Sequence, residues 1–185
     1  PSPTTLLVEL IRPENRHNTS RFYPDMDMLV HDIARTYRKV LSEFYNMGCR
    51  FLQFSDYTWS LTGDSDIQKI SEAVNIDMPT LAATAARLND ACLEQKPLDM
   101  CVSLQFDSRW WSAGDKEKLA ETLLASRADA FAFDFGNREN ENIDFSLLNY
   151  CQGKEVILGL VSTSSNQPIS ASNIIHHIET AARLL

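Results

Sequence analysis

Three aspartates each follow a short apolar run, and that placement is the first pointer to chemistry in this sequence. Asp56 follows Phe51-Leu52-Gln53-Phe54-Ser55. Asp107 follows Cys101-Val102-Ser103-Leu104-Gln105-Phe106, and Asp134 ends Ala130-Phe131-Ala132-Phe133. A carboxylate so placed can bind a cation, move a proton or hold an ammonium group. Adjacent parallel strands lie about 4.8 Å apart, so Asp56, Asp107 and Asp134 are expected to share one mouth. Three like charges there need a cation, a shared proton or separate solvation. The competing reading is local, since Asp just after a strand is a favoured cap for the helix that follows.

Other candidates are weaker. Trp110-Trp111 follows Asp107 closely, and Trp59 follows Asp56. Aromatics at a strand end can stack on a planar ligand such as a pterin, or simply cover the top of a core. His17 falls in a polar stretch, and His31 on the outer side of a predicted helix. His176 and His177 are neighbours, about 100° apart on a helix, so they cannot both face one metal; surface or interface roles are expected. Six glycines are present, none in dinucleotide-fingerprint or P-loop spacing, which argues against a nucleotide fold.

The elements that must hold these residues alternate. Residues 25–47 read as a helix with Leu29, Ile33, Tyr37, Val40, Leu41 and Phe44 at helical spacing, capped by Asp25 or Asp27 and stopped at Gly48. Helices are also expected at 65–74, 79–95, 116–126, 145–150 and 170–185, the last with Ile174, Ile175, Ile178 and Ala182 inward. Strands are expected at 49–54, 100–105, 130–134 and 156–161. Strands apolar throughout imply a parallel sheet covered by helices. A doubly wound sheet and part of a (β/α)8 barrel both satisfy this order, and both place chemistry at the C-terminal strand ends.

Composition narrows the partners. The 185 residues suit one domain, 1–185, with a net charge of −8. With a pI of about 4.9 and no cluster of Lys and Arg, nucleic acid is not an expected partner. No run approaches the roughly 20 apolar residues of a membrane-spanning helix, and Pro1-Ser2-Pro3-Thr4-Thr5 does not resemble a signal peptide. Cys49, Cys92, Cys101 and Cys151 lie far apart with no Cys-x-x-Cys pair, which fits buried, reduced thiols in the cytoplasm.

Five segments resemble, in order, the short single-barrel relatives of cobalamin-independent methionine synthase. Gly48-Cys49-Arg50-Phe51-Leu52-Gln53-Phe54 is similar to their Gly-Cys-Arg-Tyr-Leu-Gln strand. Lys96-Pro97-Leu98-Asp99-Met100 resembles Lys-Pro-Glu-Asp-Met, and Asp129 to Phe135 resembles Asp-Gly-Phe-Phe-Leu-Glu-Tyr. Val156 to Ser162 is close to Val-Val-Leu-Gly-Leu-Val-Ser, and Pro1-Ser2-Pro3 to a Pro-Ser-Pro that ends an earlier strand.

The resemblance implies a (β/α)8 TIM-type barrel of which about the second half is present, completed by more of the protein, another chain or a second copy. It implies methyl transfer from a methylated folate to homocysteine, with zinc turning the thiol into a thiolate. The family's His-x-Cys falls on Gln105 and Asp107, and its Glu on Asp134. Of the Asp-Asp pair near the substrate amine, the first is Ser55 and the second is Asp56. Trp59 or Trp110 would flank the folate. With nitrogen and sulfur ligands replaced by oxygen, tight zinc binding and methyl transfer are expected to be impaired. The alternative expectation is a non-catalytic binding or regulatory barrel that keeps the pocket.

Overall fold

A computed structural model describes residues 1–56, 58, 72, 75–107, 116–136, 143–162 and 169–185. The elements are α1 (Pro3–Ile11), α2 (Pro13–Phe22), α3 (Met26–Asn46), β1 (Phe51–Asp56), α4 (Met78–Leu93), β2 (Cys101–Asp107), α5 (Lys116–Leu124), β3 (Ala130–Asp134), a 3-10 turn (Ser146–Tyr150), β4 (Glu155–Gly159) and α6 (Ala171–Ala182). The helix expected at 65–74 lies outside the described residues.

Capping fixes several helix starts. Asp25 accepts from the Asp27 N–H at 3.0 Å, Asp77 from Thr80 at 2.7 Å and Ser170 from Asn173 at 3.2 Å. Helices α1 and α2 were not expected. In α1, Ser2 caps and Pro3 sits in the first turn, where its missing N–H costs nothing. In α2 no residue is buried. It is held from outside its own pattern, by Thr19 Oγ1 donating to the Leu10 carbonyl and Asn15 Nδ2 to the Glu9 carbonyl.

The described strands form one parallel sheet in the order β1-β2-β3-β4. Sequence order with right-handed crossovers puts every connecting helix on one face. A doubly wound sheet reverses its order at a switch point, and this one does not. Helix α3 packs on α4, α4 on α5, and α5 on the 3-10 turn. The register pairs Phe51 with Cys101, Ser103 with Ala130, and Ala130 with Glu155.

Strand alternation then sorts the side chains. Phe54, Val102, Leu104, Phe106, Phe131 and Phe133 face the helices and are buried. Ring centroids 6.1 Å apart for Phe106–Phe131 and Phe106–Phe133 make this an aromatic floor under α4 and α5. The opposite face carries Phe51, Gln53, Ser55, Ser103, Gln105, Ala132, Asp134 and Ile157. On this face Phe51 and Ile157 are exposed, while Ser103 and Ala132 are buried.

Two expectations about faces need correction. In α6 the inward residues are His177 and Ala181, with Ile174 half-buried, while Ile175 and Ile178 are exposed. His177 packs on the Phe145 ring at 5.8 Å, so it is not a surface histidine. In α3, Leu29, Ile33 and Leu41 are buried as expected, but Val40 and Phe44 are exposed. All four cysteines are free; Cys92 and Cys151 are buried, and Cys49 and Cys101 half-buried.

Candidate functional site

The C-terminal ends of the strands bring together Ser55, Gln105, Ala132, Asp134 and Gly159 on the open face. Ser55 pairs with Gln105 and Gln105 with Ala132, while Asp107 pairs with Asp134 and Asp134 with Gly159. A Cβ on Gly159 would lie 3.6 Å from Asp134 Oδ1 and 3.1 Å from the Phe133 carbonyl oxygen. The tight approach is therefore to the β3 backbone, and the carboxylate lies at ordinary contact distance. The side chain of Asp107, and all of Trp59 and Trp110, lie outside the described residues.

Gln105 is held firmly. Its Oε1 accepts from Gln53 Nε2 at 2.7 Å and from Ser55 Oγ at 2.9 Å. A carbonyl oxygen has two lone pairs, and both are engaged. Just below, Ser103 is fully buried and its Oγ has no hydrogen-bond partner.

Asp56 does not join this group. It sits in register with Phe106 and points to the helix side. It is fully buried; its Oδ1 accepts the Thr58 N–H at 3.1 Å, and Oδ2 has no partner. Burial pushes its pKa up from the ordinary carboxylate range, and the hydroxyl and N–H of Thr58 with the hydroxyls of Thr4 and Ser2 pull back in part. Hydroxyls link α1 to this loop, Ser2 to Thr5 at 2.9 Å and Thr5 to Thr58 at 3.3 Å. So the three expected carboxylates do not share one face: Asp107 and Asp134 are register partners, and Asp56 braces α1 behind the sheet. Of the pair at 55 and 56, Ser55 is the one that faces the open side.

The zinc expected from the resemblance can be tested against these donors. Among the described residues, no three His, Cys, Asp or Glu side chains converge as a ligand set. Gln105 stands where the resemblance puts a nitrogen ligand, and its oxygen is already spent on two donors. Among the described residues, Gln105 does not fit a zinc ligand.

Gln53 and Ser103 were not anticipated. The signal was available in the period of two, because both lie two residues before a candidate, Ser55 and Gln105 respectively.

The strand ends are also tied together. A Cβ on Gly136 would meet the Val161 carbonyl carbon at 2.6 Å, its oxygen at 2.7 Å and the Ser162 nitrogen at 2.8 Å. The segments leaving β3 and β4 thus touch backbone to backbone, beside the Phe135 N–H donating to the Gly159 carbonyl at 2.8 Å.

No protein-family model matches the chain. Two uncharacterised proteins of Bacillus subtilis (strain 168) are similar to it. YxjH is 26% identical over 169 residues, covering 88% of this chain and 45% of YxjH. YxjG is 26% identical over 168 residues, covering 86% of this chain and 44% of YxjG. The chain thus spans less than half the length of these relatives. The fold is also that of a solved structure from Listeria monocytogenes, a "Putative Vitamin-B12 Independent Methionine Synthase", with a TM-score of 0.73 and 24% identity over 100% of this chain and 52% of the other. The four-stranded parallel sheet and its helices therefore share the fold of part of that structure.

Proposed function

We propose that the chain is part of a methionine-synthase-type barrel that binds a small polar ligand of the homocysteine or folate class at its strand ends, without zinc-activated methyl transfer. The observation that carries this reading is Gln105, whose oxygen accepts from Gln53 and Ser55 and so is not offered to a metal. A zinc centre would supply a thiolate by lowering the thiol pKa. The residues here supply amides, a hydroxyl and the Asp134 carboxylate, which suit binding by hydrogen bonds. In this reading Ser55, Gln105 and Asp134 meet the ligand, Trp59 and Trp110 stack on any planar part, and Asp56 holds α1 in place. The four free cysteines fit a reducing, cytoplasmic setting. Strands closing the barrel beyond β1 and β4, from the rest of the protein, another chain or a second copy, belong to the same proposal.

The test is calorimetric titration of the full protein with homocysteine, methionine and 5-methyltetrahydrofolate, alongside zinc content and a methyl-transfer assay. Saturable binding of one ligand, with zinc far below one per chain and no turnover, is the expected result. Near one zinc per chain together with homocysteine methylation would replace this reading with the second one, a working methyltransferase, which the fold likeness favours. No binding and no turnover would remove both.

A further inference from the structure

We propose that Asp56 is a proton-controlled latch on α1: as the neutral acid it lets the first turn of α1 close over the end of β1, and as the carboxylate it drives that turn open. The latch lies on the helix side of the sheet and needs no ligand at the strand ends. Asp56 is fully buried, and Ser2, Thr4 and Thr58 around it are buried too. Its Oδ1 accepts the Thr58 N–H at 3.1 Å, and Oδ2 has no partner. The surrounding hydroxyls are committed elsewhere. Thr4 Oγ1 donates to Asn89 Oδ1 at 3.4 Å. Ser2 Oγ and Thr5 Oγ1 share a hydrogen bond of 2.9 Å, and Thr5 Oγ1 and Thr58 Oγ1 one of 3.3 Å. Each link uses one hydroxyl proton, so at most one of these protons remains for Asp56. A neutral acid tolerates that shortage; a buried carboxylate, which needs several donors, does not.

No charged group on α1, α3 or α4 contributes to the electrostatics of Asp56. Glu9 of α1 pairs with Arg12 at 3.0 Å, and Arg87 of α4 with Asp27 of α3 at 2.7 Å. Asp90 of α4 accepts from Ser126 and Arg127, and Arg38 of α3 donates to the Ala91 carbonyl. Tyr37 of α3, its pKa pushed up by burial, donates to the Pro1 carbonyl at 2.8 Å. On β2 the register partner of Asp56 is Phe106, and the side chain of Asp107 beyond it lies outside the described residues. An ionised Asp56 must therefore reach water. Pro1 is exposed and Thr5 half-buried, so the first turn of α1 is a part of its cover that meets solvent. Lifting that turn breaks the bond from the Ser2 N–H to the Ser55 carbonyl, 3.3 Å long, and the bond from Tyr37 to Pro1. Ser55 sends its hydroxyl to the opposite face. The proton state of a residue behind the sheet is thus felt at a residue in front of it.

Amide hydrogen exchange of the full protein, followed by NMR across the pH range and corrected for intrinsic rates, tests the latch. Closing raises the Asp56 pKa, so the closed turn is favoured in acid and opening releases one proton. The opening equilibrium read at the Ser2, Thr5 and Leu6 amides should rise about tenfold per pH unit above the ordinary carboxylate range, until Asp56 is ionised in the closed state as well. The rise should be absent in Asp56→Asn. It should be insensitive to low urea, while amides of β2 and β3 stay far better protected. A flat profile in the native protein, the same rise in D56N, or exchange of α1 together with β2 and β3 would each overturn the latch. A second readout depends on no variant: the infrared carbonyl band of a protonated carboxyl, in native protein labelled with carboxyl-13C aspartate. At about pH 6, roughly two units above the ordinary aspartate value, the band is expected, and it should fade as the α1 amides open. Its absence at that pH would overturn the proposal whatever the exchange shows.

Discussion

Replacing Asp56 by asparagine should stabilise this protein at neutral pH and leave it unchanged in acid. Asp56 is fully buried, and no Lys or Arg contributes to its electrostatics. Its Oδ1 takes one N–H, from Thr58 at 3.1 Å, and Oδ2 takes none. Asparagine keeps the Oδ1 acceptor and turns Oδ2 into a donor among the Ser2, Thr4 and Thr58 hydroxyls. The exchange removes a lone buried charge without opening a cavity. A gain of about 1–3 kcal/mol is expected near pH 8, the usual penalty of a buried group left unsatisfied. The sign follows from the upward shift: folding raises the Asp56 pKa, so its contribution is fully present below the unfolded carboxylate range and is lost as pH rises through the folded value. The difference between the two proteins should therefore be near zero below about pH 4. It should grow by at most about 1.4 kcal/mol per pH unit until Asp56 is ionised. Urea unfolding of both proteins from pH 4 to pH 8 measures it. A D56N protein less stable than the native one, by a margin that widens with pH, would refute the reasoning. That result would mean the α1 N-terminus and its hydroxyls hold Asp56 ionised.

Other perturbations have equally definite outcomes. Gly136→Ala puts a Cβ 2.6 Å from the Val161 backbone, where no rotamer can relieve it; a loss of about 3 kcal/mol or more is expected by denaturant unfolding. Phe133→Ala opens the aromatic floor between Phe106, Phe131 and Phe135 and should cost about 3–5 kcal/mol in the same assay. Burial pushes the Cys92 and Cys151 thiols up to about 12, so iodoacetamide at neutral pH should leave both unmodified in native protein and label both after denaturation, as read by peptide mass spectrometry.

Much of the framework was legible because the strands are largely apolar on their helix-facing side and the helices at Met78–Leu93 and Ala171–Ala182 carry their own caps. Ala130–Asp134 was expected with its observed bounds, and α3 within a residue at each end. Helix α2 was not legible, because Pro13–Phe22 buries nothing and so has no apolar period to detect. The inward face of α6 was misread because its isoleucines outrank His177 and Ala181 in hydrophobicity, whereas the ring of Phe145 favours the imidazole. At the site, the facing of Asp56 was misread. Asp56 and Ser55 are one position apart, and one position along a strand is the difference between the helix layer and the open side. The Gln53–Gln105 contact joins residues 52 positions apart, and only the parallel register makes them neighbours.

The sheet order has a kinetic side as well. Every described strand pairs with the next described one along the chain, so each of these pairings closes a single loop. The loops are unequal: Phe51 meets Cys101, whereas Ser103 meets Ala130 and Ala130 meets Glu155. The first closure spans about twice the chain of the others and costs about 0.6 kcal/mol more entropy. Assembly should therefore nucleate among β2, β3 and β4, with β1 docking last. Since β1 brings Gln53 and Ser55, the grip on Gln105 is completed only when β1 docks on β2, and local opening of β1 would release it.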